Sequence, residues 1–132
     1  MFCNRLVFVA LAGALIFLEP VNTDIRRDCR RETKVSWAAL KKMKSGDFEQ
    51  NDQKLKCYVK CFMVKNGILN NNAEIDVQRA LRHIPRSLQD SSRHLFNKCK
   101  SVSATDACDK AFQMCKCYVK HQPQILHSVP FL

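Results

Sequence analysis

Lys54-Leu55-Lys56-Cys57-Tyr58-Val59-Lys60-Cys61-Phe62-Met63 sets two cysteines one helical turn apart, with apolar residues and lysines between and around them. At about 100° per residue both thiols leave the same side of a helix. Leu55, Val59, Phe62 and Met63 fall at helical spacing beside them. Two cysteines so placed seldom bond each other, so each should reach a different element. Asp52 can cap this helix and Asn66-Gly67 can stop it.

Outward from this pair lie Cys29, Cys99, Cys108, Cys115 and Cys117. Without Cys115, the gaps between successive cysteines are 27, 3, 37, 8 and 8 residues. An even set at such spacings behind an export signal reads as a disulfide framework. The signal is Arg5 followed by Leu6 to Leu18, thirteen residues without a charge. That run is too short to span a bilayer, which takes roughly 20 residues, and so argues against an anchor. Residues 1–23 are expected to be removed by cutting before Asp24, and Cys3 leaves with them. The remaining 24–132 form one domain, small enough that covalent ties matter to its stability.

The rest of the chain predicts helices. Gly occurs three times and Pro four, too few turn residues for an all-β chain. Asp24 to Glu32 reads as a short helix carrying Cys29, and Ser36 as the cap of a helix over Trp37 to Met43. Asp76 can cap a helix with the stripe Val77, Ala80, Leu81 and Ile84, ended by Pro85. Ser87 and Asp90 have capping-box form and predict another helix start, with Leu88, Leu95 and Phe96 following. Thr105 or Asp106 can cap the last long helix, whose apolar face carries Cys108, Ala111, Phe112, Cys115, Tyr118 and Val119. Cys108 and Cys117 point from opposite sides of it, tying it to two neighbours; the spacing alone leaves several pairings open. Pro123 stops that helix. The stretch Pro123 to Leu132 is too apolar for a free tail and should lie on the domain.

Cys115 falls near Cys108 on the same wheel, among Phe112 and Tyr118. It reads as a buried free thiol acting as a small hydrophobe. A reactive or intermolecular thiol, or exchange with Cys117, are the alternatives. No C-x-x-C and no His pair at ligand spacing suggests a metal; His83, His94, His121 and His127 are scattered. No Gly-framed Ser or Cys–His arrangement suggests an enzyme, and no cofactor is expected. The formal net charge of +10 suits solubility or an acidic partner. Basic residues are not interleaved with aromatics, so no nucleic-acid surface is expected.

These residues resemble the six-cysteine insect odorant-binding proteins, the family of pheromone and general odorant-binding proteins. The resemblance rests on Lys54-Leu55, on Lys56 to Phe62 with three residues between the cysteines, and on Asp76 to Leu81. It also rests on the Cys61 to Cys99 gap and on Cys108-Asp109-Lys110-Ala111-Phe112 leading to Cys117. It covers essentially all of 24–132. Three features depart from the family pattern: a short stretch before Cys29, the extra Cys115, and an unusually basic charge.

The resemblance implies an all-α bundle of about six helices around an apolar cavity, with three interlocked disulfides. It implies the pairs Cys29–Cys61, Cys57–Cys108 and Cys99–Cys117. Candidate wall residues are Met63, Leu81, Ile84, Leu88, Leu95, Phe96, Phe112 and Met114, with Phe131 and Leu132 as a lid. In some family members the C-terminal segment covers the cavity and moves with pH. Here His121 and His127 lie near it and otherwise read as solvated surface histidines. The implied function is extracellular carriage of a small hydrophobic ligand, an odorant or pheromone in sensory lymph. Expected partners are that ligand and an olfactory receptor or an anionic surface, with the chain a monomer or weak homodimer. The rival reading is a secreted protein of the same scaffold, salivary for example, that captures anionic or lipid partners through its basic surface.

Overall fold

The computed structural model describes residues 21–128, with side-chain burial from Ile25 onward. Seven helices follow in order: α1 Val21–Thr33, α2 Trp37–Lys44, α3 Gln53–Lys65, α4 Val77–Arg82, α5 Gln89–Cys99, α6 Ala107–His121 and α7 Ile125–Ser128. A 3-10 turn, Arg86–Leu88, sits between α4 and α5. Leu69 and Ile75 form an isolated antiparallel bridge that closes the Asn-rich loop. Among the described residues there is no strand, and no helix is long and apolar enough to cross a membrane.

Most helix starts follow from one side-chain oxygen each. Ser36, Asp52, Asp76 and Asp106 accept from the backbone N–H groups of Ala39, Leu55, Arg79 and Asp109. Each satisfies a donor that the first helical turn leaves without a partner. At the end of α3, Gly67 takes φ +74°, and the N–H of Ile68 returns to Met63 O at 2.9 Å. That left-handed stop is open to glycine at no steric cost.

The capping box expected at Ser87 is not formed. Pro85 O accepts from Leu88 N at 2.9 Å, so the 3-10 turn feeds directly into α5. Leu88 occupies the cap position with helical dihedrals and no side-chain cap. α4 also stops at Arg82, three residues short of Pro85, leaving Ile84 beyond the helix. The Gln89 side chain closes this corner by donating to Leu81 O and Ile84 O, both at 3.2 Å.

α3 and α6 form the most extensive helix pair, with α1 packed on α3 and α5 on α6. Leu55, Tyr58, Val59 and Phe62 of α3 meet Ala111, Phe112, Met114 and Val119 of α6 in one buried cluster. Phe48, in the α2–α3 loop, packs its ring 5.5 Å from that of Phe112. Three disulfides cross this core: Cys29–Cys61 ties α1 to α3, Cys57–Cys108 ties α3 to α6, and Cys99–Cys117 ties α5 to α6. Neighbouring Cys57 and Cys61 therefore hold different elements. Ile125 and Leu126 of α7 are buried, so α7 folds back onto the body.

Candidate ligand cavity

The α3–α6 pair is well filled along much of its length, but toward the end of α3 and the middle of α6 the packing opens. A cavity of about 80 Å³ lies there. Phe62 and Met63 of α3 form one wall, and Met114, Cys115, Tyr118 and Val119 of α6 another. Phe96 and Cys99 of α5 close the third side. Ile68, Leu69 and Ile75 of the bridged loop, Ala80 and Ile84 around α4, and Ile125 of α7 complete it. The surface these residues present is almost wholly apolar. His83 and Lys100 are the lining residues that are themselves exposed, which places the mouth between the ends of α4 and α5.

Of the wall residues expected from sequence, Met63, Ile84, Phe96 and Met114 line the cavity. Leu81, Leu88, Leu95 and Phe112 do not. Leu95 and Phe112 belong to the solid core, Leu88 packs half-buried against it, and Leu81 is buried away from the void. The rotation of each helix about its axis decides this, and apolar spacing alone does not fix that rotation. Phe131 and Leu132 lie outside the described residues. Sequence reasoning missed Ile68, Leu69 and Ile75, which sit in a loop without helical period. Tyr118 and Val119 carried a signal on the apolar face of α6 but were not assigned to the cavity.

A buried polar cluster backs one wall. Ser92 Oγ lies 2.6 Å from Tyr118 Oη, and both hydroxyls reach Gln122 Oε1, at 3.1 and 2.9 Å. Gln122 Nε2 also meets Ser91 Oγ. Burial pushes the Tyr118 hydroxyl above its ordinary pKa, opposed by the hydrogen bond from Ser92. The hydroxyl is fully occupied by this cluster, so Tyr118 offers the cavity its ring, which stacks 4.7 Å from that of Phe96. Ser92 and Gln122 had no sequence signal, being polar residues thirty positions apart.

Cys115 is the free cysteine of the described residues and lines the same void. Burial pushes its thiol up to about 12. It stays protonated at any physiological pH and is therefore a poor nucleophile. His121 and His127 are exposed, and His121 Nδ1 lies 2.9 Å from Cys117 O.

Residues 22–121 match the family model described as the PBP/GOBP family. The chain belongs to that family. Among curated relatives, the B2 protein of Tenebrio molitor is 31% identical over 98 residues, covering 73% of this chain and 75% of the relative. Odorant-binding protein 10 of Aedes aegypti is 28% identical over 100 residues, covering 74% and 71%. Odorant-binding protein 4 of Chrysopa pallens superposes with a TM-score of 0.69 at 25% identity, covering 83% of this chain and 92% of its own. Odorant-binding protein 1 of Locusta migratoria gives a TM-score of 0.68 at 25% identity, covering 80% and 81%. The family is that of odorant-binding proteins, which bind rather than catalyse.

Proposed function

We propose that this protein is an extracellular carrier of small hydrophobic molecules, odorants or pheromones in an insect's sensory lymph. The observation that carries this reading is the apolar cavity between α3, α5 and α6. Removing a guest's apolar surface from water contributes roughly 25 cal/mol per Å². A guest burying a few hundred Å² reaches micromolar affinity after ordering costs are subtracted. The cavity as it stands is smaller than the roughly 150 Å³ core void that admits benzene. A larger guest must therefore displace wall side chains. Met63 and Met114 are unbranched and can move at low cost, which favours a site that accepts several shapes.

The test is displacement of a fluorescent apolar probe from the oxidised protein by a panel of volatile alcohols, esters and hydrocarbons. Micromolar displacement is expected. Replacing Met114 by Trp should fill the void and weaken binding by about tenfold or more while helicity is retained. Probe binding that is absent in the native protein, or unchanged in Met114→Trp, would overturn the assignment of this cavity.

A further inference from the structure

The chain's single tryptophan is on the surface. Trp37 opens α2, is 55% exposed, and is the exposed large hydrophobic side chain among the described residues. The Arg30 guanidinium stacks on it at 4.5 Å from the ring centroid, joining the end of α1 to the start of α2. α2 buries Ala39, Leu40 and Met43, so Trp37, Lys41 and Lys44 run along the opposite, solvent-facing side at helical spacing. No acidic residue occurs from Thr33 to Gly46. Between Ile25 and Gly46 eight cations face two carboxylates, and one of those, Glu32, is engaged by Lys65 at 2.8 Å. Much of the net charge thus gathers on two adjoining helices, with one amphipathic ring in its midst.

We infer that the Arg30–Trp37–Lys41–Lys44 face docks this protein onto anionic lipid membranes. Cations alone would suit any polyanion. An exposed indole adds a preference for the boundary between headgroups and acyl chains, where tryptophan is enriched because one side of its ring system is apolar and its N–H is polar. Each Lys or Arg held near an anionic leaflet contributes attraction that fades within a Debye length. The face lies on α1 and α2, whereas the cavity is walled by α3 to α7 and the loop between α3 and α4, so docking engages none of the cavity's lining residues.

Because Trp37 is the lone tryptophan, its emission reports directly on this face. The oxidised protein is titrated with phosphatidylcholine vesicles, with or without phosphatidylserine, and with soluble heparin, and vesicle binding is checked by co-sedimentation. A blue shift restricted to phosphatidylserine vesicles and reversed by salt is expected. The double variant Lys41→Glu/Lys44→Glu should bind these vesicles at least ~10-fold more weakly. Lys98→Glu/Lys120→Glu carries the same net charge on exposed positions elsewhere and should stay within about twofold of the native protein. Trp37→Ala should lower co-sedimentation with the fold intact, since the side chain is exposed. Equal losses in the two double variants would reduce the effect to overall charge and overturn the proposal. So would vesicle binding with unchanged Trp37 emission, or binding to heparin but not to vesicles.

Discussion

The two sides of the cavity are built differently. On the α3–α6 side, a disulfide joins Cys57 to Cys108, and Lys56 Nζ meets Asp109 Oδ1 at 3.0 Å with both side chains nearly buried. Phe112, Tyr58 and Val59 fill the space between without a gap. On the α4 side, six helical residues and a 3-10 turn stand without a disulfide of their own. Their corner is closed by the Gln89 amide and by His83 Nε2, 3.2 Å from Asn66 O, with no covalent tie. A rigid wall thus faces a lightly held one. A site that must admit guests larger than its resting volume needs that asymmetry, and opening should begin at α4.

The largest effect that would test this contrast is loss of a tie on the rigid side. Cys57 and Cys108 close the longest of the three loops, 51 residues against 32 and 18. In the chain-entropy picture, replacing both by Ser should cost about 4 kcal/mol, and removing Cys99–Cys117 about 3 kcal/mol, read from urea midpoints. An inverted order would show that strain or residual structure outweighs loop length. Next is Phe112→Ala, expected to cost about 3–5 kcal/mol because Phe112 is fully buried and packs against Phe48. Ile84→Ala on the lightly held wall already borders a void, so it should lie near the low end of the range for Ile→Ala, about 2 kcal/mol. Its probe affinity should change more than its stability does. Equal stability losses at the two positions would remove the asymmetry.

Acid should act on the rigid side first. The Asp109 carboxylate accepts from Thr105 N at 3.0 Å and from Gln113 Nε2 at 3.2 Å, and it pairs with Lys56. These partners, the Thr105 N–H foremost, hold it down to about 2. An unfolded Asp titrates near 3.9, so the folded state binds its proton later than the unfolded chain does. The stabilisation is complete above roughly pH 4–5 and is lost as pH falls toward 2. Asp109→Asn should be less stable than the native protein at pH 7, with the gap narrowing between pH 4 and pH 2. A gap that is constant with pH would remove the ionised carboxylate from the explanation. The smallest effect belongs to Tyr118→Phe. It should cost about 1 kcal/mol by breaking the Ser92–Gln122 cluster while leaving probe affinity near native, because the hydroxyl does not face the void.

How much of this was legible in the sequence depended on how local the signal is. Ser36, Asp52, Asp76 and Asp106 cap the helices that follow them because a cap needs only four consecutive residues. Ser87 is not a cap because it lies inside a 3-10 turn, where the Gln89 N–H returns to Arg86 O. The helical spacing around Cys57 and Cys61 showed that they hold different elements, but the choice among the remaining pairings came only through the family resemblance. In the cavity, Met63 could be nominated from apolar spacing, while Phe112, on the same stripe as Cys115 and Tyr118, turned into the core. Ile68 and Ile75 reach the void from a loop held by the Leu69–Ile75 bridge and by hydrogen bonds around Asn70, and no periodicity marks them.

Cys115 and Cys117 differ by two residues, about 200° around α6. One is sealed among apolar side chains while its neighbour meets Cys99. Oxidative maturation therefore has a built-in proofreader. A chain that joined Cys99 to the wrong sulfur would have to twist α6 half a revolution, dragging grease outward and lysines inward. The burial of the apolar face of α6 thus favours Cys117 over Cys115 as the partner of Cys99.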